Sequence, residues 1–157
     1  RIRSAQLAED RRFGGVLCGA KTMVSFYPDG QLRSAFLAKA ASVQGKAMAT
    51  RAFLRFDRKG KLVGAIPPKK RHGVLYGPDG EALACDGGRV VLFAAKDGWG
   101  CTLAKEQRIS GLWAKAGGTV FFDADGRLRL LVLSRPQTVE GKAYPAGAVV
   151  KLEKKSR

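Results

Sequence analysis

The stretch Thr119–Gly141, TVFFDADGRLRLLVLSRPQTVEG, decides how the whole chain is read. Val120 and Phe122 follow Thr119 at a spacing of two, and Leu128, Leu130 and Val132 alternate with Arg127 and Arg129. Period two sends successive side chains to opposite faces of an extended strand. Between the two runs lies Asp123-Ala124-Asp125-Gly126, whose Gly supplies the positive φ that a short hairpin loop requires. The segment predicts a β-hairpin with Phe122, Leu128, Val132 and Leu133 in its core.

The same grammar recurs along the chain. An aromatic residue, three residues, Gly, one residue and Leu appear at Phe26/Gly30/Leu32, Phe56/Gly60/Leu62 and Phe122/Gly126/Leu128, with looser copies at Tyr76/Gly80/Leu83 and Phe93/Gly98. A second pattern, Leu, a small residue, four variable residues, an apolar residue, any residue and Gly, begins at Leu7, Leu37, Leu103 and Leu133. These marker leucines step by 30, 66 and 30, so a unit of about thirty residues repeats, with a doubled gap where one copy has decayed. Each unit is expected to hold two or three strands, or ten to twelve in all, and Val24, Phe26, Leu32, Leu37, Phe56 and Leu103 complete the expected core. The fold class is all-β: repeated antiparallel hairpins forming a barrel-like or curved meander sheet in a single domain, 1–157, its terminal half-units pairing to close the ring. The alternative is an open single-layer hairpin-repeat solenoid cut from a longer array. Residues 63–88, with Ile66-Pro67-Pro68-Lys69-Lys70-Arg71-His72-Gly73, break the period and predict an irregular loop.

The hairpins FYPDGQL, FDRKGKL and FFDADGRL resemble the strand-turn-strand repeats of bacterial MORN-type proteins and their antitoxin-like relatives. That resemblance implies curved antiparallel sheets without catalytic activity that bind proteins or lipid head groups, and it transfers no site residues.

Composition supports a folded domain. With 157 residues, 45% hydrophobic and 27% charged, the chain can bury a core unaided, and it has no apolar run of membrane-spanning length. It starts at Arg1 with no charged-then-apolar leader, as expected of a processed product or an excised fragment. Twenty Gly supply the turns. Twenty-nine Lys and Arg against 13 Asp and Glu give a net charge of +16, which invites an acidic partner.

That charge concentrates in Arg51, Arg55, Arg58, Lys59, Lys61, Lys69, Lys70 and Arg71, opposed only by Asp57, and in a smaller tail of Lys151, Lys154, Lys155 and Arg157. The eight cations are the candidate binding face for a protein partner or an anionic envelope polymer. Nucleic acid is the alternative partner, and it would want exposed aromatics beside the cations. Phe53 and Phe56 instead alternate as core-strand residues, and Trp99 and Trp113 lie elsewhere in the chain.

Three cysteines leave at least one unpaired. Cys85 and Cys101 are the disulfide candidate, closing a loop of about fifteen residues worth ~3 kcal/mol, with Cys18 as the odd thiol. The pairing implies an oxidising compartment, hence a periplasmic, cell-surface or secreted protein; three free buried thiols would place it in the cytoplasm.

Other motifs read as turns. Gly14–Thr22, GGVLCGAKT, nearly spells a phosphate-binding loop, but Ala20 intrudes and a strand follows where that loop needs a helix. Asp123–Gly126 lacks the later ligands of a calcium loop. His72, the single His, is the one residue on which a small hydrolase could be built, and no nucleophile is placed near it. No cofactor or metal site is expected. The sequence therefore predicts a non-catalytic binding or structural module of an envelope or secreted assembly.

Overall fold

The computed structural model describes residues 3–70, 72–93 and 97–153 and is all-β, with nineteen strands among them. It divides into two compact units between Gly73 and Val74, inside the segment where the repeat breaks. The first unit holds β1 (Ser4–Gln6), β2 (Arg11–Phe13), β3 (Val16–Cys18), β4 (Met23–Phe26), β5 (Leu32–Phe36), β6 (Ala41–Val43), β7 (Lys46–Met48), β8 (Phe53–Phe56) and β9 (Leu62–Ile66). Its main sheet runs β1-β4-β5-β8-β9, and β2-β3 and β6-β7 form separate two-stranded arms. The second unit holds β10 (Val74–Leu75), β11 (Cys85–Val91), β12 (Trp99–Leu103), β13 (Gln107–Ile109), β14 (Leu112–Ala114), β15 (Thr119–Phe122), β16 (Leu128–Val132), β17 (Gln137–Val139), β18 (Lys142–Tyr144) and β19 (Val149–Lys151). There β11-β12-β15-β16-β19 form the sheet, and β13-β14 and β17-β18 are the arms.

Two turn types build each repeat. The sheet hairpins close through Gly30, Gly60 and Gly126, whose N–H groups donate to Tyr27, Asp57 and Asp123 carbonyls at 2.9, 3.0 and 2.9 Å. All three glycines have positive φ, and the ladder shifts register beside each loop, as a bulged short loop demands. The arms close through two-residue loops, Gly14-Gly15, Gln44-Gly45, Ser110-Gly111 and Glu140-Gly141, in which both residues have positive φ. That is the I′ pattern, whose twist matches the flanking strands.

The arms change the strand count. A repeat contributes two strands to the sheet and two to an arm, not two or three in all, because each x-Gly step makes a complete hairpin of three-residue strands. No closed barrel forms among the described residues. Each sheet adds strands in sequence order, so β1 and β9, like β11 and β19, stand apart in the order and do not pair with each other.

Strand parity also differs from expectation at one place. Leu131 and Leu133 face inward and are fully buried, while Leu130 and Val132 are half-buried on the other face. Leu133 is held by backbone bonds to Gly147 and Ala148, and that fixes the parity of the strand before it. Phe26 is half-buried too, its ring edge-on to Phe13 with centroids 5.1 Å apart. The remaining expected core residues, Val24, Leu32, Leu37, Phe56, Leu103, Phe122 and Leu128, are buried.

Phe122 is 1% exposed, so Phe122→Ala is expected to cost ~3 to 5 kcal/mol in urea unfolding. Its half-exposed neighbour Phe121 should cost far less on truncation, and equal losses would show that the strand faces are misassigned.

Candidate functional site

The described cations between Arg51 and Lys70 are divided between two rims of the sheet and its interior. Arg51 is exposed in the turn before β8, Arg58 and Lys59 are exposed in the β8–β9 turn, Lys61 is half-buried after it, and Lys69 and Lys70 are exposed beyond β9. Arg71 lies outside the described residues. Because β8 and β9 are antiparallel, the start of β8 and the end of β9 share one rim of the sheet, and their connecting turn lies at the opposite rim. Extended chain advances about 3.3 Å per residue, which separates Arg51 from Arg58 by roughly 20 Å.

Arg55, midway along β8, is 0% exposed and belongs to no surface. Its Nη1 donates to the Tyr27 hydroxyl at 2.6 Å, the Phe56 carbonyl at 2.9 Å and the Arg33 carbonyl at 3.3 Å. Tyr27, itself buried, donates its hydroxyl to the Phe56 carbonyl at 2.6 Å. Burial pushes the Tyr27 hydroxyl above its ordinary pKa, opposed by the neighbouring Arg55 charge. Beside them Asp57 Oδ1 accepts from the Lys59 and Lys61 amides at 2.8 and 2.9 Å, holding the turn. Asp57 is 3% exposed, and burial raises its pKa, with the two amide bonds opposing. These three side chains anchor the β8–β9 turn from within.

Topology adds cations that sequence proximity did not suggest. Lys21 precedes β4 and Lys39 follows β5, both exposed, and antiparallel order places them on the same rim as Arg51, Lys69 and Lys70. The signal was present: Lys21 and Arg51 are 30 residues apart, one repeat. Glu9 and Asp10 follow β1 at this rim, and Asp10 Oδ1 accepts from the Ala20 amide at 2.8 Å. Across the chain the charge is uneven. Up to Gly73 there are sixteen Lys and Arg against four Asp and Glu, a net +12, whereas from Val74 there are thirteen against nine, a net +4.

The second unit carries the disulfide. Cys85 and Cys101 are bonded, with Cα atoms 5.8 Å apart on neighbouring strands β11 and β12. Cys101 also lines a cavity of about 410 Å³, together with Val91, Thr102, Thr119, Phe121 and the ion-paired Arg89 and Asp86 (3.2 Å). Gly100 forms part of the lining, and a Cβ there would run into the Val120 carbonyl. Trp113 is half-buried with the Arg135 guanidinium 3.8 Å from its ring centroid and Arg108 at 5.9 Å. Arg135 also pairs with Glu106 at 2.8 Å, so the ring is already faced by cations. Trp99 and Phe56 are buried and Phe53 half-buried against Phe36.

Cys18 is the free cysteine among the described residues; it is fully buried, and desolvation lifts its thiol to about 11. His72 is exposed and makes no hydrogen bond or ion pair among the described residues. No group of three or more His, Cys, Asp or Glu side chains is placed to hold a metal ion among them either, and no helix is long and apolar enough to cross a membrane. No family model, curated protein or solved structure matches this chain.

Two outcomes follow from the buried groups. Replacing Cys85 and Cys101 by Ala should destabilise the protein by ~3 kcal/mol in urea, and thiol titration of the denatured wild type should find one thiol, Cys18. For Asp57, a raised pKa means that the folded state holds the proton more tightly than the unfolded one. Its contribution therefore favours folding at low pH and is lost as pH rises from about 4 through the raised value. Asp57→Asn keeps the Oδ1 acceptor, so it should gain stability relative to wild type as pH rises from 3 to 7. A gap that narrows over that range would contradict the burial assignment.

Proposed function

We propose that the protein is a non-catalytic binding module of an envelope or secreted assembly, whose first unit docks on an anionic partner. The observation that carries this reading is the rim bearing Lys21, Lys39, Arg51, Lys69 and Lys70, all exposed, in a unit with net charge +12. Clustered like charges cost folding free energy through self-repulsion and raise the association rate of an oppositely charged partner. The Cys85–Cys101 bond supports an oxidising location, where acidic proteins and anionic envelope polymers are the available polyanions. Nucleic acid finds less support, because the half-buried Trp113 has Arg135 over its ring and the half-buried phenylalanines of the first unit are paired with each other, Phe13 with Phe26 and Phe36 with Phe53.

The reading is tested by binding to dextran sulfate, polyglutamate and duplex DNA over a salt series. Wild type should bind the acidic polymers at 50 mM salt and release them as salt rises. Lys69→Glu with Lys70→Glu should weaken binding by at least about tenfold, since each change replaces attraction by repulsion. Indifference to both reversals would count against the reading.

A further inference from the structure

One turn recurs before the sheet strands and differs between the two units. Ala49-Thr50-Arg51-Ala52 is closed by the Ala52 amide on the Ala49 carbonyl at 3.1 Å, and its third residue, Arg51, has φ +65°. Lys115–Gly118 and Pro145–Ala148 close in the same way at 3.1 and 3.3 Å, with Gly117 and Gly147 in third place at φ +78° and +82°. Lys21 holds this place before β4, at φ +61°. In all four copies the third residue donates its amide to a marker Leu: Lys21 to Leu7, Arg51 to Leu37, Gly117 to Leu103 and Gly147 to Leu133, at 2.7 to 2.9 Å.

The position therefore asks for Gly, since a side chain in the left-handed region crowds the backbone. The second unit supplies Gly twice; the first supplies a cation twice. A further turn of this kind after β9, Pro67–Lys70, closed at 3.3 Å, puts a third cation, Lys69, at φ +62°. The side chains of Lys21, Arg51 and Lys69 are exposed, and none makes a hydrogen bond or ion pair among the described residues. The turns at Lys21 and Arg51 are held by their amide bonds to Leu7 and Leu37, not by their side chains, and side chains kept in sparsely populated backbone regions by the surrounding structure cluster at functional sites.

Sheet geometry sets the spacing. β4 and β8 flank β5, so Lys21 and Arg51 stand two strand spacings apart, about 9.5 Å, with Lys39 beyond the end of the intervening strand. β9 adds one further spacing, at whose end Lys69 and Lys70 lie. The cations follow a row across the strand ends and do not converge on a point, which suits an extended chain of anions better than a single phosphate.

We propose that Lys21, Lys39, Arg51 and Lys69 form a repeat-spaced cation row that binds an extended anionic polysaccharide laid across the strands. This rests on the binding-module reading above and names its partner class. Sulfate or carboxylate groups along the polymer meet the cations by charge alone, and the row needs no aromatic platform of the kind that single-stranded nucleic acid uses. The oxidising location implied by Cys85–Cys101 favours such a polymer over nucleic acid.

The test pairs stability with binding. Lys21→Gly with Arg51→Gly removes two charges and relieves two left-handed side chains. The thermal midpoint should rise by roughly 3 °C or more. Affinity for dextran sulfate should fall at least about tenfold, with the log–log salt slope flattened by roughly 1 to 2. Lys21→Gln with Arg51→Gln should lose binding with a smaller thermal gain, since it relieves charge repulsion but not the left-handed side chains. Arg58→Ser with Lys59→Ser removes the same charge from the opposite rim and should leave affinity within about twofold. Equal losses at the two rims, or unchanged binding in the Gly double variant while wild type binds, overturns the row but leaves the binding module standing. Tighter binding of duplex DNA than of dextran sulfate overturns the polysaccharide assignment. Failure of wild type to bind any of these polyanions at 50 mM salt overturns the binding-module reading itself.

Discussion

Everything in the repeat hangs on a reciprocal pair of backbone hydrogen bonds at each marker leucine. The amides of Leu7, Leu37, Leu103 and Leu133 donate to Thr22, Ala52, Gly118 and Ala148 at 2.9 to 3.0 Å, and the leucine carbonyls accept from the residue just before each of those partners. The chain between, some fourteen residues, leaves the sheet as an arm and returns to the same point. The four leucines are buried at these knots. Their side chains therefore contribute hydrophobic burial where the backbone pairing must be dry to be strong. Arm length, strand parity and the position of the next sheet strand are all set once this knot is tied.

The knot also explains how one scaffold carries different chemistry. Cys18, Cys85 and Ala114 occupy one structural place, each paired across to the marker Leu37, Leu103 or Leu133. Two residues before each marker stand Ala35, Cys101 and Leu131, all buried. One repeat fills this pair of places with a disulfide, another with Ala114 and Leu131, and the first with Cys18 and Ala35, leaving a thiol that burial keeps protonated. Side chains of different size are interchangeable there because the backbone bonds, not the side chains, define the geometry.

Much of this was legible in the sequence because turns have strict chemistry. Gly at fixed offsets located the hairpins, and Cys85 and Cys101, a short loop apart, were the expected bonded pair. The arms were harder to see. Three-residue strands such as Gln107–Ile109 are too short for a period-two pattern, so only the x-Gly loop betrays them. Arg55 was indistinguishable from its charged neighbours, since Leu54 and Phe56 on either side are also buried and β8 shows no alternation. The basic stretch is divided for a simpler reason. Adjacency along a strand is separation in space, and a run of cations through a hairpin is divided between two rims.

The same reversal that disperses neighbours gathers residues one repeat apart. A repeat of thirty residues returns the chain to the same rim two strands further on, so a cation placed once per repeat becomes a row whose pitch is fixed by hydrogen-bonded strand spacing. The backbone spacing of such a row is fixed by the ladder, while each charge moves on its own flexible stem. The left-handed turn is well suited to present it: the residue there is tied by its amide to the buried marker leucine while its side chain is exposed. Gly117 and Gly147 show that the fold accepts the unstrained solution at this place. On the proposed reading, Lys21 and Arg51 trade local stability for charge at positions where the backbone is tied to a buried leucine.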